Sequence, residues 1–158
     1  MLHPQEVPNT IPWWTDQSRL ILQNYAATIQ FGESLAEPLS NIKILLLEGP
    51  LGSGKTSLVK GIAKGLKIHE PITSPTFSLA NHYLKGERAL FHLDLYRLEE
   101  PMAADELFFE EEELAEKHGG LMVIEWPSKL SLKIDDAYLI KLDYFSEGGR
   151  SIQMISCS

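Results

Sequence analysis

Features that define several protein classes are missing from this sequence. It has a single cysteine, Cys157, so neither an intrachain disulfide nor a cysteine-based zinc cage can form. Apolar runs are short, since Ile44 to Leu47 is stopped by Glu48, and no stretch of about 20 apolar residues is present to form a membrane-spanning helix. The first residues lack the basic start and apolar run of a secretory signal. We therefore expect a cytoplasmic protein with a reduced cysteine and no membrane association.

Basic residues are also scarce. Lysine and arginine number 14 against 22 aspartates and glutamates, which gives a formal net charge of −8. Nine of the acidic residues lie between residues 99 and 116, a segment without a basic residue. Because affinity for a phosphate backbone depends on clustered lysine and arginine, we expect no strong direct binding to nucleic acid. The acidic segment is interpreted as a solvated helix face, with a contact surface for a basic partner as the alternative. Its candidate core positions are Leu107, Phe108, Leu114 and Ala115.

The hydrophobic pattern predicts one domain of α/β class. A chain of 158 residues, 44% of them hydrophobic, is long enough to bury one core. Residues 1–15 contain three prolines and the pair Trp13 and Trp14. They are interpreted as an N-terminal arm tethered by its tryptophans to a domain of residues 16–158.

The apolar pattern predicts the order of the helices and strands. The first half is expected to hold a helix over 16–39, a buried strand over 42–48 and a helix of about three turns starting near Lys55. An antiparallel hairpin of 77–84 and 89–96 is expected next, then one or two helices in the acidic segment, a strand over 121–124, and a final strand pair at 138–144 and 151–155.

The strongest local signal lies between the first of these strands and the helix that follows it. Residues 49–56 read Gly-Pro-Leu-Gly-Ser-Gly-Lys-Thr, which matches glycine, four residues, glycine, lysine, then serine or threonine. The glycines permit positive φ angles and a close backbone approach, so that successive N–H groups and the start of the helix point at one spot. This predicts a nest for the β-phosphate of a nucleoside triphosphate, with Lys55 bridging the β- and γ-phosphates and the Thr56 hydroxyl on Mg²⁺. The alternative is a turn that binds nothing.

Carboxylates at the ends of neighbouring strands are expected to serve the metal or the attacking water. Glu125 directly follows the apolar run at 121–124, and Asp94 lies on the polar face of a strand with period two. The alternatives are a solvated strand end for Glu125 and a satisfied structural carboxylate for Asp94. His92, on the same polar face, is interpreted as a core histidine bonded to backbone. Residues 73–77, Thr-Ser-Pro-Thr-Phe, are either a γ-phosphate-sensing loop or a proline-stiffened connector.

Other classes of nucleotide-binding protein lack their motifs here. A regulatory GTPase would carry an Asp-x-x-Gly loop and an Asn-Lys-x-Asp motif, and neither occurs. A small-molecule kinase would need a lid with several arginines, whereas the four arginines are scattered at positions 19, 88, 97 and 150. What remains is an ATPase whose loops respond to the γ-phosphate and whose turnover alone is slow. A small P-loop kinase is a less favoured alternative, and a nucleotide-dependent scaffold with negligible hydrolysis is the alternative from another class.

Four motifs occur in a set order: the loop at 49–56, Ser-Pro-Thr-Phe at 74–77, His-Leu-Asp-Leu-Tyr-Arg-Leu at 92–98, and Ile-Glu-Trp-Pro at 124–127. Together they resemble the bacterial TsaE (YjeE) family, and the likeness extends to Thr28, Gly32 and the pair Gly149 and Arg150. The resemblance implies a single P-loop NTPase domain with a central mixed β-sheet flanked by helices. It also implies an ATPase required for the threonylcarbamoyl-adenosine modification of tRNA position 37.

Carried over position by position, the resemblance implies roles for individual residues. Glu125 would be the metal-associated catalytic acid with Trp126 packed beside it, and Asp94 would lie in the second switch. Ser74 and Thr76 would lie in the first. The catalytic set is then Lys55, Asp94 and Glu125, the Mg²⁺ ligands are Thr56 and Glu125, and the residues that contact ATP are Gly49, Leu51, Gly52, Ser53, Gly54, Lys55, Thr56, Ser57 and, near the base, Arg150.

The resemblance also implies partners. TsaD would carry the transfer chemistry, TsaB would bind TsaD, and this ATPase would reset their complex between turnovers. The loop departs from the family at Pro50, where aspartate is usual, and at Ser53, where alanine is usual. Neither usual side chain supplies a phosphate ligand, so neither change argues against nucleotide binding.

Overall fold

The computed structural model describes residues 19–157, so the predicted arm at 1–15 and its tryptophans lie outside the described residues. Within that range, seven strands form one sheet in the order β1-β7-β6-β2-β5-β4-β3. The strands are β1 (Arg19–Leu22), β2 (Ile44–Glu48), β3 (Ala80–Tyr83), β4 (Leu90–Asp94), β5 (Leu121–Glu125), β6 (Ala137–Tyr144) and β7 (Arg150–Cys157), and the helices are α1 (Tyr25–Ser34), α2 (Lys55–Gly65) and α3 (Pro101–His118).

The sheet is mixed, as predicted. Strand β2 pairs in parallel with β5 and β6, and β5 pairs in parallel with β4. The two predicted antiparallel pairs, β3 with β4 and β6 with β7, are confirmed. Because the central strands are parallel, their carboxyl ends meet at one edge of the sheet, and the register sets Asp94 of β4 opposite Glu125 of β5. The predicted carboxylates are therefore neighbours at that edge.

The core lies on both faces of the sheet. Along β2, Leu45 and Leu47 belong to the cluster that packs under α1 and α2. The alternate residues, Ile44 and Leu46, belong to the cluster on the α3 side. All four side chains are buried, which explains why this strand is a continuous apolar run: a parallel strand covered on both faces has no solvated side.

The helix predicted over 16–39 is wrong at both ends. Residues 19–22 form β1, which pairs with the edge strand β7. The helix begins only after Asn24, whose side-chain oxygen accepts a hydrogen bond from the Ala27 N–H at 2.8 Å, a common N-cap. It ends at Ser34, before Pro38, which cannot continue a helix. Leu35 and Leu39 are buried nonetheless, whereas Ile21 and Tyr25 are exposed, so the apolar spacing predicted burial for only part of the segment and did not predict the helix length.

Helices α1 and α2 touch backbone to backbone at two glycines. A Cβ atom added to Gly32 would lie 2.5 Å from the carbonyl oxygen of Leu58 and 2.9 Å from Cα of Gly61. One added to Gly61 would lie 2.1 Å from the carbonyl oxygen of Ile29. Only glycine allows so close an approach, and the contact seats α2, whose first residue is Lys55, against the body of the domain.

The acidic segment is one helix, α3, rather than two. Phe108 and Ala115 are buried as predicted, whereas Leu107 and Leu114 are only partly buried at the edge of the core. Most of its acidic side chains are exposed, which fits the solvated face. Asp105 and Glu112 are half-buried, and Glu111 is buried and lies 2.6 Å from His82 Nε2. None of the helices within residues 19–157 is long and apolar enough to cross a bilayer.

Arg88, in the connector between β3 and β4, has a role that the sequence pattern did not suggest. Its guanidinium donates hydrogen bonds to the carbonyl oxygens of Leu39 and Ile42, at 2.9 and 2.7 Å, and to those of Gly119 and Gly120. It thereby ties the loop that precedes β2 to the loop that precedes β5. The amino ends of β2 and β5 are thus held together, while their carboxyl ends lie at the sheet edge that carries Glu125.

We expect Gly61→Ala to lower the free energy of unfolding by about 1–3 kcal/mol, the usual cost of forcing extra atoms into a packed contact, because the new methyl group would collide with the Ile29 carbonyl. Urea denaturation followed by circular dichroism measures this. Lys64→Ala on the same helix is the matched control, since its side chain is 67% exposed and its loss should cost less than about 0.5 kcal/mol. Equal midpoints for the two variants would contradict the close helix contact.

Candidate functional site

The glycine-rich loop at 49–56 joins β2 to α2, as predicted. Gly52 and Gly54 have φ angles of 76° and 103°, a region that disfavours residues with a Cβ atom. Gly49 needs to be glycine for a different reason: a Cβ there would lie 2.4 Å from the Leu142 carbonyl oxygen. Gly54 is also the N-cap of α2, so the free N–H groups at the start of this helix face the loop. Such a turn forms a concave anion-binding nest.

Lys55, the first residue of α2, turns its side chain back into the loop. It is buried, and its Nζ donates hydrogen bonds to the carbonyl oxygens of Gly49 at 2.6 Å and Pro50 at 2.9 Å. Nζ also lies 4.7 Å from the centre of the Trp126 ring. Burial lowers the pKa of Lys55, while the nearby carboxylates of Glu125 and Asp94 partly offset that effect. The ammonium is thus held within reach of both carboxylates and of the nest.

Thr56 and Glu125 are joined directly across the sheet edge. The Thr56 hydroxyl donates to Oε2 of Glu125 at 3.1 Å, and Nε2 of His92 lies 2.6 Å from the same oxygen. Glu125 is only 3% exposed, so the interpretation of a solvated strand end is wrong. His92 is fully buried and bonds to a carboxylate, so the prediction that it bonds to backbone is also wrong. No local pattern in the sequence predicts this contact, since the two residues are 33 positions apart.

Asp94 holds the 73–77 loop against the site. Its Oδ2 accepts a hydrogen bond from the Ser74 hydroxyl at 3.2 Å, and its Oδ1 accepts one from the Tyr96 N–H at 3.0 Å. The Thr76 hydroxyl donates in turn to Ser74 Oγ at 3.4 Å. Both carboxylate oxygens of Asp94 therefore have partners, as the structural interpretation expected. The side chain nevertheless lines a cavity between the glycine-rich loop and the ends of β4 and β5, so it can also contact a bound ligand.

The hairpin between β6 and β7 braces the other side of the loop. Arg150 donates from Nη2 to the Gly52 carbonyl oxygen at 3.0 Å, and its guanidinium lies 5.5 Å from the centre of the Tyr144 ring. The Tyr144 hydroxyl donates to the carbonyl oxygen of Leu51. Sequence reasoning found Arg150 but missed Tyr144, which no motif marks. Both side chains stabilise the conformation of the loop.

These groups enclose an open cavity of about 400 Å³, a size typical of small-ligand sites. Every predicted site residue lines it except Gly49 and Ser53, which lie in the loop behind it, and Ser53 is fully buried. The lining residues are Leu51, Gly52, Gly54, Lys55, Thr56, Ser57, Ser74, Thr76, Asp94, Tyr96, Arg97, Glu125, Trp126 and Arg150. The N-terminus of α2 and a lysine suit a polyphosphate. Adjacent hydroxyl and carboxylate oxygens suit Mg²⁺. The residues present therefore fit a magnesium–nucleoside triphosphate.

The fold and the loop define the class of protein: a single P-loop α/β domain with a mixed sheet. The family model described as "Threonylcarbamoyl adenosine biosynthesis protein TsaE" matches residues 22–152. This chain belongs to that family, which confirms the resemblance drawn from the four motifs.

Individual relatives agree with this assignment. The TsaE protein of a Nostoc species is 40% identical over 140 residues, which cover 87% of this chain and 85% of that protein. The TsaE protein of a Synechocystis species is 44% identical over 110 residues, 69% of either chain. The crystal structure of YdiB from Bacillus subtilis superposes with a TM-score of 0.67 at 25% identity and covers 92% of this chain and 88% of that one. The relatives are named for the biosynthesis of threonylcarbamoyladenosine in tRNA.

We expect Arg150→Ala to loosen the loop, because it removes the hydrogen bond to the Gly52 carbonyl. Loss of one charge-assisted hydrogen bond, about 1.5–3 kcal/mol, should speed local opening by roughly tenfold or more. Hydrogen–deuterium exchange of peptides covering residues 49–54 measures the change. The matched control is Arg97→Ala, which removes a guanidinium that lies 4.7 Å from the Phe77 ring on the opposite side of the cavity. Equal exchange in the two variants would contradict the bracing role of Arg150.

Proposed function

We propose that this protein is a magnesium-dependent ATPase of tRNA threonylcarbamoyladenosine biosynthesis. The observation that carries the proposal is the junction of the glycine-rich loop with the acidic strand end, where Thr56 of α2 donates to Glu125 of β5 at 3.1 Å. An anion nest, a lysine and a hydroxyl–carboxylate pair within one cavity are the parts that hold a triphosphate with its metal. Membership of the TsaE family supplies the biological setting.

Within this proposal each residue has a role that follows from its chemistry. The loop N–H groups and Lys55 bind the phosphates, and the Thr56 hydroxyl and the Glu125 carboxylate hold Mg²⁺, which supplies charge neutralisation at the phosphates when bound. Glu125 also orients the attacking water, because its buried carboxylate faces the cavity at the end of β5. Asp94 keeps the 73–77 loop in position through Ser74. Arg150 lies beside the loop, where it would contact the nucleotide near its base.

The proposed partners are TsaD and TsaB, and the proposed role is a switch on their complex. The 73–77 loop is the element suited to this task, since the hydrogen bond from Ser74 to Asp94 lies in the cavity wall, whereas Thr73 is tied to β3 through Tyr83 and Asn81. A γ-phosphate that engages Ser74 or Thr76 would compete with that bond and shift the loop. The Phe77 side chain at the end of the loop is 84% exposed, so such a shift would change the surface that a docked partner contacts.

Lys55→Ala should weaken Mg-ATP binding by about tenfold to a hundredfold, which is the loss of one or more charge-assisted hydrogen bonds. Isothermal titration calorimetry with Mg-ATP on the isolated chain measures this. The control is Lys64→Ala on the same helix, whose exposed lysine is not part of the cavity and whose loss should leave the affinity unchanged. Absence of binding heat with the unaltered protein would end the nucleotide-binding proposal.

Glu125→Ala should leave Mg-ATP affinity within about tenfold but reduce hydrolysis by about a hundredfold or more, since the acid acts mainly in the chemical step. Phosphate release is measured with purified TsaD and TsaB present, alongside threonylcarbamoyladenosine in tRNA from cells carrying the variant. Glu113→Ala on the exposed face of α3 is the control and should behave as the unaltered protein. Normal tRNA modification with Glu125→Ala would favour a nucleotide-dependent scaffold over an ATPase.

A further inference from the structure

His92 is a fully buried, titratable side chain that contacts Glu125, the proposed metal-binding acid. It lies in the middle of β4, two residues before Asp94, at 0% exposure. Its Nε2 is 2.6 Å from Oε2 of Glu125, shorter than the 3.1 Å bond that Thr56 makes to the same oxygen. Neither of these two hydrogen bonds uses Oε1. One oxygen of the carboxylate is therefore held from two sides.

The other ring nitrogen shows in which direction this contact works. Nδ1 of His92 is buried and has no hydrogen-bond partner among residues 19–157. A proton on Nδ1 would have no acceptor there, whereas a proton on Nε2 can be donated to a carboxylate oxygen 2.6 Å away. The Nε2–H tautomer is therefore favoured. All of the hydrogen bonding of this imidazole is then directed at Glu125. A histidine kept only to fill the core would need no such geometry.

We propose that His92 is a positioning residue for Glu125: its Nε2–H donates to Oε2 and fixes the orientation of the carboxylate in the cavity. The inference rests on the proposed function, in which Glu125 holds Mg²⁺ and orients water. His92 itself does not line the cavity and touches no reacting atom. It acts as groups behind metal ligands commonly do, by fixing a ligand whose own rotamers would otherwise point it elsewhere.

Three substitutions separate this role from simple packing. In His92→Gln the side-chain amide nitrogen is as many bonds from Cβ as Nε2 is in histidine, so it can still donate to Glu125. In His92→Asn the amide nitrogen corresponds to Nδ1 and falls short, and His92→Phe fills the space without a donor. We expect kcat for ATP hydrolysis to fall by about 10–100-fold in the Asn and Phe variants, to stay within about threefold in the Gln variant, and KM to change little in all three.

Equal loss of kcat in the Gln and Phe variants, unaltered kcat in the Phe variant, or a rise in KM alone would overturn the proposal. If the Phe variant does not fold, as judged by its thermal melt, the comparison of Gln with Asn decides, because both are polar. Under the proposal Gln retains activity and Asn does not; equal activities of these two variants would overturn it.

A second measurement does not depend on hydrolysis. Long-range ¹H–¹⁵N spectra of the nucleotide-free chain, with histidine rings labelled, report which ring nitrogen carries the proton. We expect His92 to show the Nε2–H tautomer with a slowly exchanging proton, and Glu125→Ala to shift that resonance and accelerate its exchange, whereas Glu113→Ala leaves it unchanged. An Nδ1–H tautomer, or no response to Glu125→Ala, would overturn the proposal. A chain that hydrolyses no ATP would contradict the proposed function, while this spectrum would still decide whether His92 holds Glu125.

Discussion

Between the end of β2 and the first turn of α2 the backbone must make a tight turn that brings the N-terminus of α2 to the cavity. Gly52 and Gly54 meet this demand with positive φ angles, and Gly49 meets it by passing against the Leu142 carbonyl, where no side chain would fit. Everything else at the cavity is arranged around this turn. Lys55 folds back onto its carbonyl oxygens, and Arg150 supports it from the β6–β7 hairpin. The helix that closes the turn is held in place by its glycine contact with α1.

The acidic side of the cavity depends on parallel strand pairing. Because β4 and β5 run in the same direction and in register, Asp94 and Glu125 emerge side by side, and β5 in turn lies beside β2 and its loop. Oε2 of Glu125 then lies within hydrogen-bond distance of two groups, the Thr56 hydroxyl at the helix start and the His92 ring inside the sheet. Two carboxylates and a lysine so close together are tolerated because each carboxylate is hydrogen-bonded. The arrangement suits a ligand that brings both negative phosphate and a divalent cation.

Several parts of the fold were predictable because their signals are local. Strand β2, helix α2 and strand β5 appear in the sequence as a short apolar run, an apolar period and a second short run, and each was found where it was predicted. The helix expected over 16–39 failed at Arg19–Leu22 because those residues become a strand only through pairing with β7. Nothing near them in the chain signals that partner, which arrives more than a hundred residues later. Arg88 was missed for the same reason, since its four carbonyl partners come from two distant loops.

By itself, the sequence determined the conformation of the glycine-rich turn at 49–56 and the presence of an acid after a buried strand. These are properties of consecutive residues: glycine where φ is positive, and apolar side chains where a strand is covered on both faces. Only the tertiary structure decided which groups meet. The order of the strands in the sheet places His92 against Glu125 and Tyr144 against Leu51. Hydrogen bonds between residues far apart in the chain form only after the sheet has brought their backbones together, and no local pattern encodes that geometry.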